Sequence, residues 1–224
     1  MFSRVKSYFL QNADQNNEDS ISSHLRKKRF EFFKKYTKDF NKPLKILDLG
    51  GSDYYWKNIG CLNDDNYKIT ILNIHPQELN GLNNTSFIEK DARDLSFIKD
   101  NEYDIIYSNS MIEHLNNFEE QKLLAKEIQR IGKKYFIQTP NYYFPVEPHF
   151  LFPFFQYLPV KIKSKLISKY DLGWYKMQAD KKEAYKIASS IRLLKKNELL
   201  EIFPGCKIYC EKYFSLDKSF IVYN

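Results

Sequence analysis

Residues 1–20 are polar and rich in Asn and Asp, a composition that reads as a weakly ordered leader. From Ser20 to Phe40 the apolar positions fall into a helical period. Ile21, Leu25, Phe32, Tyr36 and Phe40 share one face, while Arg26, Lys27, Lys34 and Lys35 lie largely off it. Asn41-Lys42-Pro43 is read as the stop of that helix. Short apolar runs then alternate with helical patterns, which predicts a mostly parallel sheet buried on both faces. Five strands are expected, over Leu44–Leu49, Lys68–Ile74, Ser86–Glu89, Tyr103–Asn109 and Tyr135–Thr139. Before the last of these, Asn117 and Glu120 have the spacing of a capping box. Leu124, Ile128 and Ile131 make the stripe of the helix that follows, and Gly132 closes it.

After Thr139 the alternation breaks. Pro140, Pro145, Pro148, Pro153 and Pro159 are interleaved with Phe144, Phe150, Phe152, Phe154, Phe155 and Tyr157, the pattern of an inserted aromatic element rather than another strand-helix unit. Order returns with a helix near Lys195–Ile202, the turn Phe203-Pro204-Gly205, and strands near Lys207–Tyr213 and Ser219–Tyr223 that suit an antiparallel hairpin at a sheet edge. The expected architecture is a single α/β domain over residues 1–224. It comprises a Rossmann-like, seven-stranded, mostly parallel sheet with helices on both faces and an antiparallel C-terminal hairpin. Residues 1–41 form a helical extension and residues 140–194 an aromatic and basic lid insertion.

Composition narrows the classes. With 43% hydrophobic and 17% aromatic residues and only 7 Gly, the chain is neither disordered nor collagen-like. The three cysteines, Cys61, Cys206 and Cys210, have no CxxC spacing, so neither a disulfide framework nor a zinc ribbon is expected, and a reduced, cytoplasmic setting is the default. Met1–Leu10 carries Arg4 and Lys6 with no apolar run after it, and no run of about 18 uncharged apolar residues occurs, so neither a signal peptide nor a membrane span is expected. The net charge of +7 is concentrated in Lys161–Leu200, where eleven basic residues face four acidic ones. Such a face suits an anionic lipid surface, a phosphorylated molecule or nucleic acid, or is a solvated helix surface.

The first strand delivers Asp48, Gly50 and Gly51 to the point where the chain must turn into a helix, and in open parallel sheets ligands bind at such strand ends. The glycines are expected to let a ligand approach the backbone. Gly50-Gly51-Ser52-Asp53 lacks the third glycine of a dinucleotide turn and adds a carboxylate, so a ligand with an ammonium or sulfonium group fits better than a pyrophosphate. S-adenosylmethionine carries both. Asn73 ends the second strand, where a ribose hydroxyl needs a polar partner. Asp91 and Ala92 follow the third, where an adenine edge would be read, and Ser108-Asn109-Ser110 end the fourth, beside the reacting methyl.

Leu47-Asp48-Leu49-Gly50-Gly51, Asp91-Ala92-Arg93-Asp94-Leu95 and Asp104 to Leu115, with Ser108-Asn109-Ser110 and Glu113-His114, resemble the class I S-adenosylmethionine-dependent methyltransferases of type 11 over roughly Lys42 to Thr139. The resemblance implies that Asp48, Gly50 and Gly51 hold the methionine end of the cofactor, Asn73 the ribose, Asp91 and Ala92 the adenine, and Asn109 the region beside the sulfonium. The sequence departs from the family pattern at Asn73, where Asp or Glu is usual, and at Ser52, which replaces the second motif glycine. The stretch Gln138 to Phe150, with Pro153-Phe154-Phe155 and Leu158-Pro159, resembles a subgroup associated with bacterial surface-glycan pathways. The acceptor this implies is a hydroxyl of a sugar or surface-polysaccharide precursor, phosphorylated or lipid-linked acceptors included.

A hydroxyl acceptor calls for a base. His114, just after the fourth strand, is the first candidate, and His149 with Glu147 on the lid is the second. Each has a purely structural alternative. With four histidines and three cysteines scattered along the chain, no metal site is expected. GxSxG, HExxH and P-loop spacings are absent, which excludes the commonest hydrolase and kinase classes. Phe150–Val160 followed by Lys161, Lys163, Lys165 and Lys169 suits either a lid helix or a peripheral membrane contact. Two rival functions stay open: RNA methylation through the basic region, against which no NPPY-like motif follows the fourth strand, and a degenerate methyltransferase fold that binds without catalysis.

Overall fold

The apolar runs of the sequence become strands in the computed structural model, which describes residues 10–12, 17, 19–61, 64–77, 79 and 84–224. In chain order the elements are α1 (Ile21–Tyr36), β1 (Leu44–Leu49), α2 (Asp53–Asn58), β2 (Tyr67–Asn73), β3 (Thr85–Glu89) and β4 (Tyr103–Asn109). A 3-10 turn over Ile112–His114 leads to α3 (Phe118–Ile131) and β5 (Gly132–Pro140). The insertion holds β6 (Val146–Glu147), β7 (Phe152–Pro153), α4 (Val160–Ile167) and α5 (Lys181–Ser189), before α6 (Lys196–Ile202), β8 (Lys207–Tyr213) and β9 (Leu216–Tyr223). The polar leader read over residues 1–20 falls mostly outside the described residues.

Seven strands form one sheet in the order β3-β2-β1-β4-β5-β9-β8. β1 to β5 are mutually parallel, and β9 runs antiparallel to both of its neighbours. The chain moves outward from β1 to β3 and then returns to the other side of β1 as β4. The sheet therefore changes direction between β1 and β4, and a crevice opens at their carboxyl ends.

Alternate side chains point to opposite faces, and both faces are covered, which is why the strands read as continuous apolar runs. Leu47, Leu49, Ile106 and Ile137 pack beneath Leu124 and Ile128 of α3 and Leu199 and Ile202 of α6. On the opposite face Ile46, Ile105, Tyr107 and Phe136 meet Phe30 and Phe33 of α1 and Tyr55 and Trp56 of α2. The insertion has its own small core of Phe150, Phe155, Ile167, Leu172, Ala184 and Ala188, so it is a folded unit rather than a loop. Within it the aromatic residues divide: Phe150 and Phe155 are buried, whereas Phe152, Phe154 and Tyr157 face outward. No described helix is long and apolar enough to cross a membrane.

Three local expectations change. α1 ends at Tyr36, where the Thr37 backbone N–H and hydroxyl both donate to the Phe33 carbonyl, ahead of Asn41-Lys42-Pro43. Its buried residues are Ser23, Leu25, Arg29, Phe30 and Phe33, with Phe32 and Tyr36 only partly covered. The stripe is rotated because Arg29, polar in sequence, is neutralised inside the protein. At the start of α3, Asn117 Oδ1 accepts the Glu120 N–H at 2.9 Å, but the Glu120 carboxylate returns to the Asn116 N–H and the Asn117 side chain, so only half of the expected box forms.

Candidate active site

At the end of β1 the chain turns through Gly50, whose φ of +72° lies in the left-handed region. A Cβ on Gly50 would stand 2.5 Å from Met111 Cγ, and one on Gly51 would stand 1.8 Å from Asp48 Oδ2. Met111 over one glycine and the Asp48 carboxylate over the other account for both positions, so the protein's own packing demands them before any ligand does. Ser52 serves the helix that follows, because its hydroxyl accepts the Tyr55 N–H at 3.3 Å and caps α2.

Asp48 is 1% exposed. Its Oδ2 accepts the Trp56 indole N–H at 2.8 Å, while Oδ1 has no hydrogen-bond partner among the described residues. Burial pushes its pKa up to about 8 against the opposing pull of the Trp56 bond. A buried carboxylate with an unfilled oxygen is chemically matched to a cationic N–H donor, which restores both charge balance and the missing hydrogen bond. The donor set thus fits the ammonium end of S-adenosylmethionine.

Asn73, at the end of β2, braces this turn. Its Nδ2 donates to the Gly51 carbonyl at 2.9 Å and its Oδ1 accepts the His75 N–H at 3.0 Å, while Gln77 donates to the same carbonyl at 3.0 Å. Each end of the Asn73 amide thus makes one bond within the protein, bracing the turn at the strand end where the ribose role was read from sequence. Asp91 sits just past β3 and pairs with Arg93 at 2.5 Å, whose hydrogen bonds hold its pKa below the usual range, and Ala92 packs partly against the core. Gly50, Asn73 and Asp91 thus stand at the carboxyl ends of three neighbouring strands.

β4 continues this edge. Ser108 Oγ donates to the Leu49 carbonyl at 2.9 Å and ties β4 to β1. Asn109 Oδ1 accepts from Arg29 Nη1 at 2.9 Å, and the Tyr55 and Tyr107 hydroxyls bond each other. The Arg29 guanidinium clasps both oxygens of Glu211, Nε to Oε1 at 2.9 Å and Nη2 to Oε2 at 2.6 Å, and Ser219 Oγ donates to Oε2 at 2.5 Å. Burial opposes the Arg29 charge, but Glu211 outweighs it and holds its pKa above the usual range. Arg29 and Glu211 escaped the sequence reading. The available signal was an arginine at helical spacing from Leu25 and Phe33, on the apolar stripe.

Beyond Asn109 and Ser110, α1, the end of β5, the insertion and the β8–β9 hairpin enclose a cavity of about 500 Å³. His149 lines it. Glu147, 2% exposed, holds that histidine: Oε2 accepts the N–H groups of His149 and Phe150 at 2.8 and 2.7 Å, and Oε1 lies 2.7 Å from Nδ1. With Nδ1–H donating to Glu147, Nε2 carries the free lone pair. Burial lowers the His149 pKa, but the bond and charge of Glu147, with the charge of Glu113, raise it above its ordinary value.

His114 reaches solvent, lies outside the cavity wall, and meets the His149 ring edge-on at 4.9 Å. Desolvation and the neighbouring His149 push its pKa down to about 4, which makes it the weaker base. The directions of the two shifts favour His149, the second candidate read from sequence, over His114, the first. Glu113 is fully buried, accepts the Thr139 hydroxyl at 3.0 Å, and leaves Oε1 without a hydrogen-bond partner among the described residues. The donor atoms of Glu113, His114 and His149 all lie within 4.8 Å of one another. Folding therefore gathers histidines that are scattered in sequence, and the set is of a type that transition metals accept.

Residues 48–135 match the model of the type 11 methyltransferase family, a methyltransferase domain. Two curated relatives, uncharacterized proteins of Mycobacterium tuberculosis strains, are 36% identical over 59 residues, 26% of this chain and 20% of theirs. The chain thus aligns with about a fifth of the length of these relatives. Among solved structures, an S-adenosylmethionine-dependent methyltransferase from Aquifex aeolicus is similar with a TM-score of 0.52 at 13% identity, over 99% of this chain and 96% of that one. The 1,6-didemethyltoxoflavin-N1-methyltransferase of Burkholderia thailandensis, solved with S-adenosylhomocysteine, gives 0.56 at 10% identity over 99% and 87%. The CurJ carbon methyltransferase gives 0.57 at 9% identity over 98% and 66%. The chain has the fold of these methyltransferases.

Proposed function

We propose that this methyltransferase domain, an S-adenosylmethionine-dependent enzyme, methylates a hydroxyl of a small sugar-type acceptor, such as a surface-polysaccharide precursor, with His149 taking the hydroxyl proton. The observation that carries the reading is the placement of His149 on the wall of a cavity that adjoins the β4 end of the cofactor edge, with Nδ1 anchored on Glu147. The neighbouring folds include an N-methyltransferase and a carbon methyltransferase, so the acceptor is argued from the cavity and not from the fold. Phe144, Trp174 and Tyr213 give the cavity aromatic faces, and Asn109, Gln138 and Asn141 give it hydrogen-bonding groups. Apolar ring faces beside polar edges suit a sugar.

The bound cofactor supplies an electrophilic methyl group on a sulfonium centre. Asp48 would hold its ammonium end, Gly50 and Gly51 form the turn beside it, and Asp91 with Ala92 lies where the adenine edge is expected. The rest of the work belongs to the chain. Arg29 fixes Asn109, the insertion limits water at the cavity, and Glu147 orients the His149 imidazole so that Nε2 accepts the proton of the attacking hydroxyl. Glu147 then stabilises the imidazolium that results.

Calorimetric titration with S-adenosylhomocysteine, followed by methyl transfer from labelled cofactor to a panel of sugars, sugar phosphates and nucleotide sugars, tests the reading. Saturable binding that Asp48→Ala weakens, and transfer that His149→Gln abolishes, is the expected result. Binding with no transfer to any hydroxyl acceptor would overturn the catalytic reading in favour of a ligand-binding fold.

A further inference from the structure

Arg26, Arg29 and Lys218 bring three cations to the wall of the cavity that holds His149. The carboxylate beside them, Glu211, is already committed to Arg29 and Ser219. Glu147, on the insertion side, is committed to His149 and two backbone N–H groups. Arg26 and Lys218 make no ion pair among the described residues. Burial and the Arg29 charge both oppose the Arg26 charge, and burial, Arg29 and Arg26 oppose that of Lys218, with Glu211 acting the other way.

Both side chains are half-buried. Each has lost water without forming an ion pair among the described residues, and burial together with the two arginines pushes Lys218 down to about 8. Two positive groups in a partly enclosed space repel each other until an anion enters. A monoanion would neutralise one of them, whereas a phosphoryl dianion neutralises both. Its three oxygens also suit a guanidinium fork and an ammonium point charge together.

We infer that Arg26 and Lys218 form a subsite for a phosphoryl group on the acceptor, so that the molecule methylated is a phosphate or diphosphate ester of a small hydroxyl compound. The identity of the acceptor rests on the methyltransferase reading of this cavity; the anion subsite does not. α1 supplies Arg26, β9 supplies Lys218 and the insertion supplies His149, so the phosphoryl anchor and the base come from separate elements of one wall. A fixed anchor would hold one hydroxyl of the ester beside the base in preference to others.

The test uses the whole protein with its lysines carrying carbon-13 methyl labels, titrated by NMR with inorganic phosphate and pyrophosphate, and with acetate at matched ionic strength. Phosphate and pyrophosphate are expected to saturate and to raise the Lys218 midpoint by about one pH unit. Arg26→Gln and Lys218→Gln are each expected to weaken pyrophosphate binding about tenfold, while Lys165→Gln on exposed α4 leaves it unchanged. An unmoved Lys218 titration, wild-type affinity in Arg26→Gln, or an equal response to acetate would overturn the subsite. A short RNA that displaces pyrophosphate and binds more tightly than any sugar phosphate would overturn the small-molecule acceptor. Calorimetry with S-adenosylhomocysteine on the same samples separates the two readings. Loss of that binding with an intact pyrophosphate response refutes the methyltransferase reading alone, and the reverse refutes the subsite alone.

Discussion

Replacing Glu211 by Gln removes the charge that makes a buried Arg29 tolerable. Arg29 is 6% exposed and Glu211 4%, and the guanidinium has no second carboxylate among the described residues. Breaking one member of such a pair strands the other charge, at a cost of about 3–5 kcal/mol. Exchanging both partners for apolar groups removes the stranded charge, so Arg29→Met with Glu211→Leu is expected to lie within about 1 kcal/mol of the parent protein. Urea unfolding at neutral pH, with the slope checked for constancy, reads both numbers. Burial pushes the Glu211 pKa up, but Arg29 and Ser219 outweigh it and hold the pKa below 4.5. The stabilisation is therefore present above 4.5 and is lost as pH falls through the depressed folded value, so parent and Glu211→Gln curves should converge only in that acid range. A loss under about 1 kcal/mol for Glu211→Gln, or a double variant as unstable as the sum of the singles, would refute the account of this pair.

Other outcomes follow from the site. With His149 as the proposed base, turnover needs it unprotonated, and the raised pKa of that group places the acid limb of the rate profile above 6.5; His149→Gln should lower turnover about 100-fold while His114→Gln changes it less than about tenfold. An acid limb below 6.5 would remove His149 as the base. Affinity for S-adenosylhomocysteine should rise as pH passes about 8, because Asp48 binds an ammonium group only when ionised, and a flat profile would detach Asp48 from the cofactor. Gly51→Ala puts a methyl group 1.8 Å from the Asp48 carboxylate and should abolish cofactor binding in calorimetry, whereas retention would show that the turn can open. A chelator should leave turnover unchanged if His149 works as a base; loss of activity restored by a divalent metal would make Glu113, His114 and His149 ligands instead.

The parallel core was legible because two-sided burial leaves the plainest mark a strand can leave, and β1 and β4 occur over the residues expected. The strand-to-helix turn was legible from Asp48, Gly50 and Gly51, although its glycines answer to Met111 and Asp48 side chains that no local pattern reveals. What escaped was pairing at long range. Arg29 and Glu211 are 182 positions apart, and each is polar in isolation; their burial is intelligible only once both are seen together. The convergence of His114 and His149 depends on how the insertion folds back over β4, and the insertion has a core of its own that its prolines conceal. Helices α4 and α5 were hidden in the same way behind a run of lysines.

β4 divides this molecule into two workshops. The turn that we propose holds the cofactor is built from β1 and its nearer companions, while the cavity walls are borrowed from α1, the end of β5, the insertion and the closing hairpin. On the proposed reading, changes confined to the insertion touch none of Asp48, Gly50 or Gly51, so the taste in acceptors can change without relearning how to grip the reagent. Chimeras that graft a foreign insertion onto residues 44–139 should accordingly keep their hold on the nucleoside while losing their original clientele.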